Sequence, residues 1–248
     1  MAAETKNVKG IVLKTYDYGD SSRIVDVFTL ELGRLSFMAK GARRNKSKYL
    51  NLTQSFVEAS FNLIPGKSMW YIKDGLIKDA HLGLRKTLAH LTCASYAGEL
   101  ISSVLIVDRE EDLFYLLQSV LAALEAADQD RLAQVMAGFT LKAASFLGFR
   151  PTLSRCAECG EPFTHCFFDT EAGGMVCDHH HKGGTVTLSV KDYEQMARFI
   201  RLPLAEIVAI DEDVDWQRLN RICTNYFLYH TGSKPPKSTA MIQELKIL

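Results

Sequence analysis

The sequence has no apolar run approaching the roughly 20 residues of a membrane-spanning helix, and residues 1–10 contain no hydrophobic signal segment. It also lacks the low hydrophobicity and high charge of disordered chains, because 47% of its residues are hydrophobic. Only six of the 248 residues are cysteine. We therefore expect a folded cytoplasmic protein in which clustered cysteines are metal ligands rather than a disulfide framework.

Motifs of several catalytic sites are also missing. The chain has no H-x-E motif of the kind that nucleic-acid deaminases combine with P-C-x-x-C, and no G-x-S-x-G elbow. Gly66-Lys67-Ser68 fails as a phosphate-binding loop because Phe61 stands where its first glycine should be. We therefore predict a non-enzymatic protein, with a zinc hydrolase or deaminase as a rival interpretation.

The charge is balanced overall but unevenly distributed. The chain carries 29 basic and 29 acidic side chains, yet residues 1–80 hold 13 Lys or Arg against 8 Asp or Glu. Residues 81–248 must then be net acidic by the same margin. Because phosphate binding depends on local charge, the N-terminal part is the candidate surface for nucleic acid.

Residues 8–78 are typical of short β-strands separated by turn residues. Val57, Ala59, Phe61 and Leu63 alternate with polar neighbours, the period-2 pattern of a half-buried strand. Five strands in about 70 residues, with one longer connection between the third and fourth, predict an OB-type barrel, with an SH3-like barrel as the nearest rival. The predicted strands are Val8 to Tyr16, Ile24 to Leu30, Leu35 to Lys40, Val57 to Leu63 and Met69 to Ile77.

From about residue 82 the hydrophobic period becomes helical. Helices are predicted over 84–106, 109–126 and 130–147, and again from Ser189 and Asp215, with a short terminal helix after residue 238. Ser189 and Asp192 have the spacing of a capping box. Cys93 and Cys223 fall on apolar helical faces, which predicts core positions. The predicted core stripe of the third helix is Leu132, Val135, Met136, Phe139, Ala143, Phe146 and Leu147.

The strongest motif is Cys156-x2-Cys159 followed after seventeen residues by Cys177-x2-His180. A two-residue gap lets both ligands of a pair reach one tetrahedral ion from a tight turn, and the intervening segment can form a hairpin. Four protein ligands leave no open position for water or substrate. We therefore predict a structural Zn²⁺ rather than a catalytic one.

The fourth ligand of this motif is open to alternatives. His179 and His181 flank His180, and His165 and Cys166 lie within the intervening loop. We choose His180 because it keeps the two-residue gap.

A dense basic segment follows the third predicted strand. Between residues 40 and 48 five cations occur with no acid among them, and Arg23 and Lys14, on neighbouring strand positions, can extend the same surface. Such a run is often only a solvated loop. Beside a barrel of the OB type it predicts a binding surface for DNA. The predicted DNA-binding residues are Arg23, Lys40, Arg43, Arg44, Lys46 and Lys48. Which aromatic residues stack on bases stays open among Tyr16, Tyr18, Tyr49 and Trp70.

Three blocks of the sequence resemble the bacterial RecO family. They are Gly10-Ile-Val-Leu with Asp17-Tyr-Gly-Asp20 and Ser22-Arg-Ile-Val, then Lys40-Gly-Ala-Arg-Arg44, and finally the segment from Cys156 to His180. The resemblance spans nearly the whole chain. This chain departs from the family pattern at His180, where a cysteine is more usual.

The resemblance implies an α+β protein: an N-terminal OB-type barrel over residues 1–80, then a helical domain over 81–248 with a zinc-binding insertion at about 152–184. It also implies a nucleoid-associated DNA repair and recombination mediator. Such a protein binds single- and double-stranded DNA, anneals complementary strands, and works with RecR and single-strand-binding protein to load recombinase. A zinc-ribbon transcription factor or an interaction scaffold is the alternative from a different class.

Overall fold

The computed structural model describes residues 4–105 and 110–248, and its N-terminal part is a closed five-stranded barrel. The strands are β1 (Lys6–Tyr18), β2 (Ser22–Thr29), β3 (Gly33–Ala39), β4 (Glu58–Pro65) and β5 (Trp70–Asp79). β1 pairs antiparallel with both β2 and β4, and the barrel closes where β5 runs parallel to β3. The predicted OB-type barrel is confirmed, and its long connection joins β3 to β4.

The barrel interior is filled by alternate side chains of its strands. Phe37 and Phe61 lie in this interior with ring centroids 5.2 Å apart. Gly10 of β1 permits a close approach, since a Cβ there would lie 2.7 Å from a methyl of Val27. The alternation predicted for β4 is therefore correct on its inner face, where Ala59, Phe61 and Leu63 are all buried.

The outer face of the barrel packs on the helices instead of facing water everywhere. Ile11 and Phe28 belong to the same apolar cluster as the helical core, and Phe28 meets Phe114 edge-on at 5.5 Å. Glu58, on the predicted polar face of β4, is buried and accepts a 2.7 Å hydrogen bond from Gln118. The apolar core thus continues from the barrel into the helices, and the division at residues 80 and 81 stays a prediction.

Seven α-helices occupy the described residues after the barrel, together with a small sheet. The helices are α1 (Leu88–Val104), α2 (Glu111–Ala126), α3 (Leu132–Phe146), α4 (Val190–Arg201), α5 (Leu204–Val208), α6 (Trp216–Thr231) and α7 (Thr239–Glu244). α1 begins later than predicted, because a 3₁₀ turn occupies 82–85 and Thr87 caps the helix. The predicted helix ends at residues 106 and 109 lie outside the described residues.

α3 is the central helix and corrects one prediction. Instead of burying one stripe it is buried on nearly all sides, because α2, α4 and α6 surround it. Phe146, which the stripe placed in the core, is about half exposed near the end of the helix. Leu147 is only partly buried, and Gly148 follows with φ 89°. The apolar pattern located the helix but overstated how far its buried face extends.

The predicted helix caps and buried thiols are confirmed. Ser189 and Asp192 form the capping box of α4, and Asp215 accepts a hydrogen bond from the Arg218 amide at the start of α6. Cys93 and Cys223 are fully buried, and burial raises the pKa of both thiols. Within the described ranges, no helix combines the length and apolar character needed to cross a membrane.

Candidate metal centre and nucleic-acid interface

Four side chains of the predicted metal motif converge in the structure. One donor atom from each of Cys156, Cys159, Cys177 and His180 lies within 4.8 Å of every other. The Cys177 sulfur is 3.2 Å from His180 Nδ1, and the Cys159 and Cys177 sulfurs are 3.9 Å apart. Such a cluster of three thiols and one imidazole can hold a metal ion.

A small three-stranded sheet brings the two halves of the motif together. Its strands are β6 (Phe167–Asp169), β7 (Gly174–Val176) and β8 (Val186–Thr187), and β6 pairs with both others. The predicted hairpin between the ligand pairs is therefore present, and Cys177 follows β7 directly. Each ligand pair turns tightly, since the Gly160 amide donates to the Cys156 carbonyl and the His180 amide to the Cys177 carbonyl, both at 2.9 Å.

The hairpin is anchored to the helical body by backbone and side-chain contacts. Gly174 bridges to Thr152, and the Thr152 amide donates to the Gly173 carbonyl at 3.0 Å. His230 of α6 places Nε2 2.8 Å from the Thr170 carbonyl oxygen at the hairpin turn. Phe168 of β6 packs in the main helical core. The four candidate metal ligands therefore lie beside a hairpin that is itself packed into the helical core.

Electrostatics of the cluster lower the pKa of two of its three thiols, Cys156 and Cys177, whereas the pKa of Cys159 is raised. Although burial of Cys156 opposes ionisation, hydrogen bonds from the Cys159, Cys177 and Glu158 backbone lower its pKa to about 6. The hydrogen bond with His180 lowers the pKa of the Cys177 thiol and raises the pKa of the imidazole. Because thiolates are the form that binds metal, these shifts prepare the site for a cation.

The alternative fourth ligands lie elsewhere in the same loop. Cys166 packs against the main core, and burial raises the pKa of its thiol. His165 Nδ1 lies 2.7 Å from an oxygen of Asp178, while His181 stacks on Phe167 at 4.0 Å. Only His180, among the described histidines, joins the three cysteines. This placement supports the choice of His180, which the two-residue gap predicted.

A second group of possible metal ligands was not foreseen from the sequence. His81 is buried where the barrel meets the helices, with Nδ1 3.0 Å from Glu125 Oε2 and 3.7 Å from Asp79 Oδ1. The Gly83 amide donates to the same Glu125 carboxylate at 2.6 Å. These contacts join the end of β5 to α2, so we interpret the group as a structural junction.

The basic loop, residues 40–48, extends from the end of β3 and exposes most of its cations. Arg44 and Lys46 are exposed and have no acidic partner within the described part of the chain. Lys48 donates to the Lys73 carbonyl oxygen at 2.9 Å, and Lys40 lies 4.9 Å from the ring centroid of Tyr71. The barrel thus supports a loop whose charge is directed mainly outward.

Two of the predicted DNA-binding arginines are partly engaged by the protein itself. Arg23 donates to the Thr53 hydroxyl at 3.0 Å, lies 3.5 Å from Asp17, and has a side chain only 19% exposed. Arg43 lies 3.4 Å from the same Asp17 carboxylate but is 38% exposed. Asp17 therefore ties the end of β1 to the start of the basic loop, and Arg43 keeps an exposed edge that Arg23 largely lacks.

The aromatic residues that the sequence left undecided divide into two pairs. Tyr16 and Tyr18, on β1, are 48% and 53% exposed. Tyr49 and Trp70 are partly buried against the barrel interior, and the Tyr49 hydroxyl donates to the Lys73 carbonyl at 2.8 Å. Only the first pair offers exposed rings on which a base can stack.

Comparison with known families and proteins gives one consistent result. Residues 1–80 match the family described as Recombination protein O N terminal, and residues 85–240 match Recombination protein O C terminal. A protein of Thermoanaerobacter sp. (strain X514) is 34% identical over 68% of each chain, and one of Exiguobacterium sp. is 30% identical over 79% of this chain and 77% of its own. A protein of Alkaliphilus metalliredigens is 26% identical over 94% of this chain and 92% of its own. All three relatives are named DNA repair protein RecO.

Proposed function

Because the chain belongs to the RecO family of DNA repair proteins, we propose that it is a DNA repair and recombination mediator. It binds single- and double-stranded DNA without reading base sequence and anneals complementary strands. In the cell it helps to load recombinase onto single strands that are coated by single-strand-binding protein. RecR and single-strand-binding protein are its proposed partners, and the nucleoid is its proposed place of action.

The observation that carries this proposal is the outward-directed basic loop beside an OB-type barrel. Arg44 and Lys46 have no acidic partner among the described residues, so their mutual repulsion is relieved best by a bound polyanion. Phosphate contacts of this kind carry no sequence information. Two DNA strands repel each other, and a surface of clustered cations lowers that repulsion while the strands pair.

We further propose that the metal is Zn²⁺ and that its role is structural. Cys156, Cys159, Cys177 and His180 make a donor set of the zinc-finger class, and four protein ligands close a tetrahedral site. The bound ion would supply a cross-link between the two ligand pairs. That cross-link holds the β6–β7 hairpin in the position from which it contacts α6. We propose no bond-making step, and the protein acts by binding alone.

The test is an annealing assay on the double variant Arg43→Ala/Arg44→Ala, with Lys191→Ala/Lys246→Ala as a control of equal charge change. Both control lysines are exposed and lie on α4 and at the C-terminus, outside the basic loop. We expect roughly tenfold slower annealing and weaker strand binding in the first variant only. The slope of log affinity against log salt should fall by about 0.7 for each phosphate that the variant no longer neutralises.

Competitor DNA distinguishes this function from a sequence-specific factor. Unlabelled oligonucleotides of unrelated sequence should compete equally, since no base edge is read. Salt-independent binding, strong discrimination between competitors, or normal annealing by the Arg43→Ala/Arg44→Ala variant would each contradict the proposal. Bound zinc measured in the same preparation tests the metal assignment separately.

A further inference from the structure

A groove of about 650 Å³ lies between the barrel and the helical region, outside the basic loop and the metal cluster. Its barrel wall comes from the outer face of β1, β2 and β3, including Lys14, Tyr16 and Arg34. α1 supplies the opposite wall through Leu91 and Ser95, and the segment 234–237 lies along the groove between α6 and α7. The groove therefore exists only because the two parts of the chain pack together.

The groove has an excess of uncompensated positive charge. Lys14, Lys234 and Lys237 are exposed, and none has an acidic partner in the described part of the chain. The two acids that line the groove are already engaged. Asp26 is buried and paired with Arg34 at 2.6 Å, and Glu99 accepts hydrogen bonds of 2.9 and 3.0 Å from the hydroxyl and amide of Ser238. Four cationic side chains and two acidic ones line the groove, so its local potential is positive.

Exposed apolar and aromatic surface accompanies these lysines. Tyr16 is 48% exposed, and Lys14 Nζ lies 5.3 Å from the centroid of its ring. Leu91 of α1 is exposed on the facing wall. A positively charged groove with an exposed aromatic ring is the combination that single-strand-binding surfaces use, since phosphates need cations and bases need a stacking face.

The groove is continuous with the basic loop along β1. Tyr16 and Tyr18 are two residues apart on one strand, so both side chains emerge on the same face from backbone positions about 7 Å apart. The basic loop contacts the turn that follows Tyr18, where the Arg43 amide donates to the Ser21 carbonyl at 2.9 Å and the Arg43 guanidinium to the Gly19 carbonyl at 3.4 Å. The basic loop therefore lies next to the end of β1 that carries Tyr18, and Lys14 of the groove follows Tyr16 in the other direction along the same strand.

We propose that a DNA single strand leaving the basic loop passes Tyr18 and Tyr16 and enters this groove, where Lys14, Lys234 and Lys237 contact its phosphates. The proposal rests on the proposed DNA-binding function and extends it to the helical region, which is net acidic overall. A nucleic acid is favoured over an acidic peptide because the path is continuous with the basic loop and exposes rings in succession.

The experiment compares Lys234→Ala/Lys237→Ala with the control Lys191→Ala/Lys246→Ala in the full chain. Binding is measured by fluorescence anisotropy on an oligonucleotide of about 8 nucleotides, within the usual site size of about 4–16 nucleotides for one OB fold, and on one of about 20 nucleotides, which exceeds it. For the longer strand, the salt slope of the groove variant should be smaller by about 1.4, which is 0.7 for each of two phosphates. The shorter strand, held by the basic loop, should bind within about twofold of the unsubstituted protein, since phosphate neutralisation acts additively along a strand.

Photo-cross-linking locates the strand directly. With p-benzoylphenylalanine in place of Leu91, the long oligonucleotide should cross-link, and the yield should fall severalfold when Lys234 and Lys237 are also replaced. A normal salt slope in the groove variant, or no cross-link at Leu91, would overturn the proposal. Preferential cross-linking to an acidic peptide over DNA would overturn it as well.

The two proposals fail in distinguishable ways. If Arg43→Ala/Arg44→Ala weakens binding but Lys234→Ala/Lys237→Ala does not, the groove is rejected and the basic loop stands. If the unsubstituted protein binds neither oligonucleotide, both proposals are rejected. Circular dichroism and zinc content of each variant confirm that a loss of binding is not a loss of folding.

Discussion

The β6–β7 hairpin with its candidate metal ligands and the basic loop are both connections enriched in one type of side chain. The candidate ligands converge on one point, whereas the cations of the basic loop extend away from the protein. In the hairpin, four donor atoms converge within 4.8 Å and two of the thiols are buried. In the basic loop, Arg44 and Lys46 extend into solvent, with no acidic partner among the residues described. Converging donor atoms indicate a site for one small ion that the protein encloses. Exposed cations without partners indicate a large external ligand. We therefore propose that the first loop has a structural role and that the second binds DNA.

The largest expected effect comes from replacing one of the four candidate metal ligands. Replacing Cys156→Ser removes a thiolate from a buried position, and we expect zinc affinity to fall by more than about 100-fold, since even outer-shell changes cost 10- to 100-fold. The hairpin should then become protease-sensitive while strand binding by the basic loop persists. Metal content and limited proteolysis measure the two effects.

Cys166→Ser is the matched control, because Cys166 is a thiol of the same loop that lies outside the cluster. It should leave one zinc bound per chain. Equal metal content in both variants would show that the cluster is not the binding site.

Acid should open the hairpin and leave the basic loop charged. The pKa of Cys156 is lowered to about 6 and the pKa of Cys177 is also lowered, so each thiolate is present above its own lowered pKa and is lost as the pH falls through it. The raised pKa of His180 means that a proton competes with the metal from a higher pH. Zinc affinity should therefore decrease about tenfold per pH unit for each ligand that takes up a proton.

A zinc-indicator titration from neutral pH down to about pH 5, which spans the pKa of about 6 of Cys156, measures this release. Arginine and lysine stay protonated over that range, so strand binding should not decrease with the metal. A metal affinity that is constant across the range would argue against thiolate ligation.

A smaller effect is expected from the backbone of the hairpin. At Gly174 an added Cβ would lie 2.7 Å from the Thr152 backbone nitrogen and closer still to its carbonyl oxygen. Gly174→Ala should therefore destabilise the protein by about 1–3 kcal/mol, the usual cost of overpacking. Thermal unfolding measures it against Gly183→Ala, where a Cβ meets nothing within 4 Å. Equal melting temperatures would mean that the hairpin does not dock on Thr152 as described.

The smallest expected effects sharpen the distinction within the predicted DNA-binding set. Arg23 is largely buried and bonded to Thr53, so Arg23→Ala should lower stability by about 1–2 kcal/mol because a charged hydrogen bond is removed. Arg44→Ala should leave stability within about 0.5 kcal/mol, as is usual for exposed positions, and weaken strand binding instead. Thermal unfolding and strand binding are measured for both variants. A lower melting temperature for Arg44→Ala than for Arg23→Ala would contradict this division.

The sequence predicted local features well where one short pattern is sufficient. All five strands, the three long helices, both named helix caps and the buried Cys93 and Cys223 follow from periodicity and from cap residues. The ligand motif also predicted its own hairpin, because two x2 pairs can meet only if the chain between them reverses.

Other features could not be read from local pattern. Phe146 was assigned to the core but is half exposed, and Glu58 was assigned to a polar face but is buried against Gln118. Arg23 carries the same charge as Arg44, yet Thr53 and Asp17 hold it largely inside the protein. The burial of a side chain depends on which distant helix or strand covers it. The hydrophobic periodicity of a segment does not indicate which element that is.

By itself, then, the amino-acid order determined which segments are strands and helices, which cysteine and histidine side chains converge, and where cations are dense. These depend on backbone geometry over a few residues, so neighbours in the chain suffice. Only the tertiary structure decided how β5 closes the barrel on β3, which cations stay free, and that Lys234 and Lys237 lie across a groove from Lys14. The physical reason is that packing joins residues more than 200 positions apart, at a cost in chain entropy that only the whole core repays.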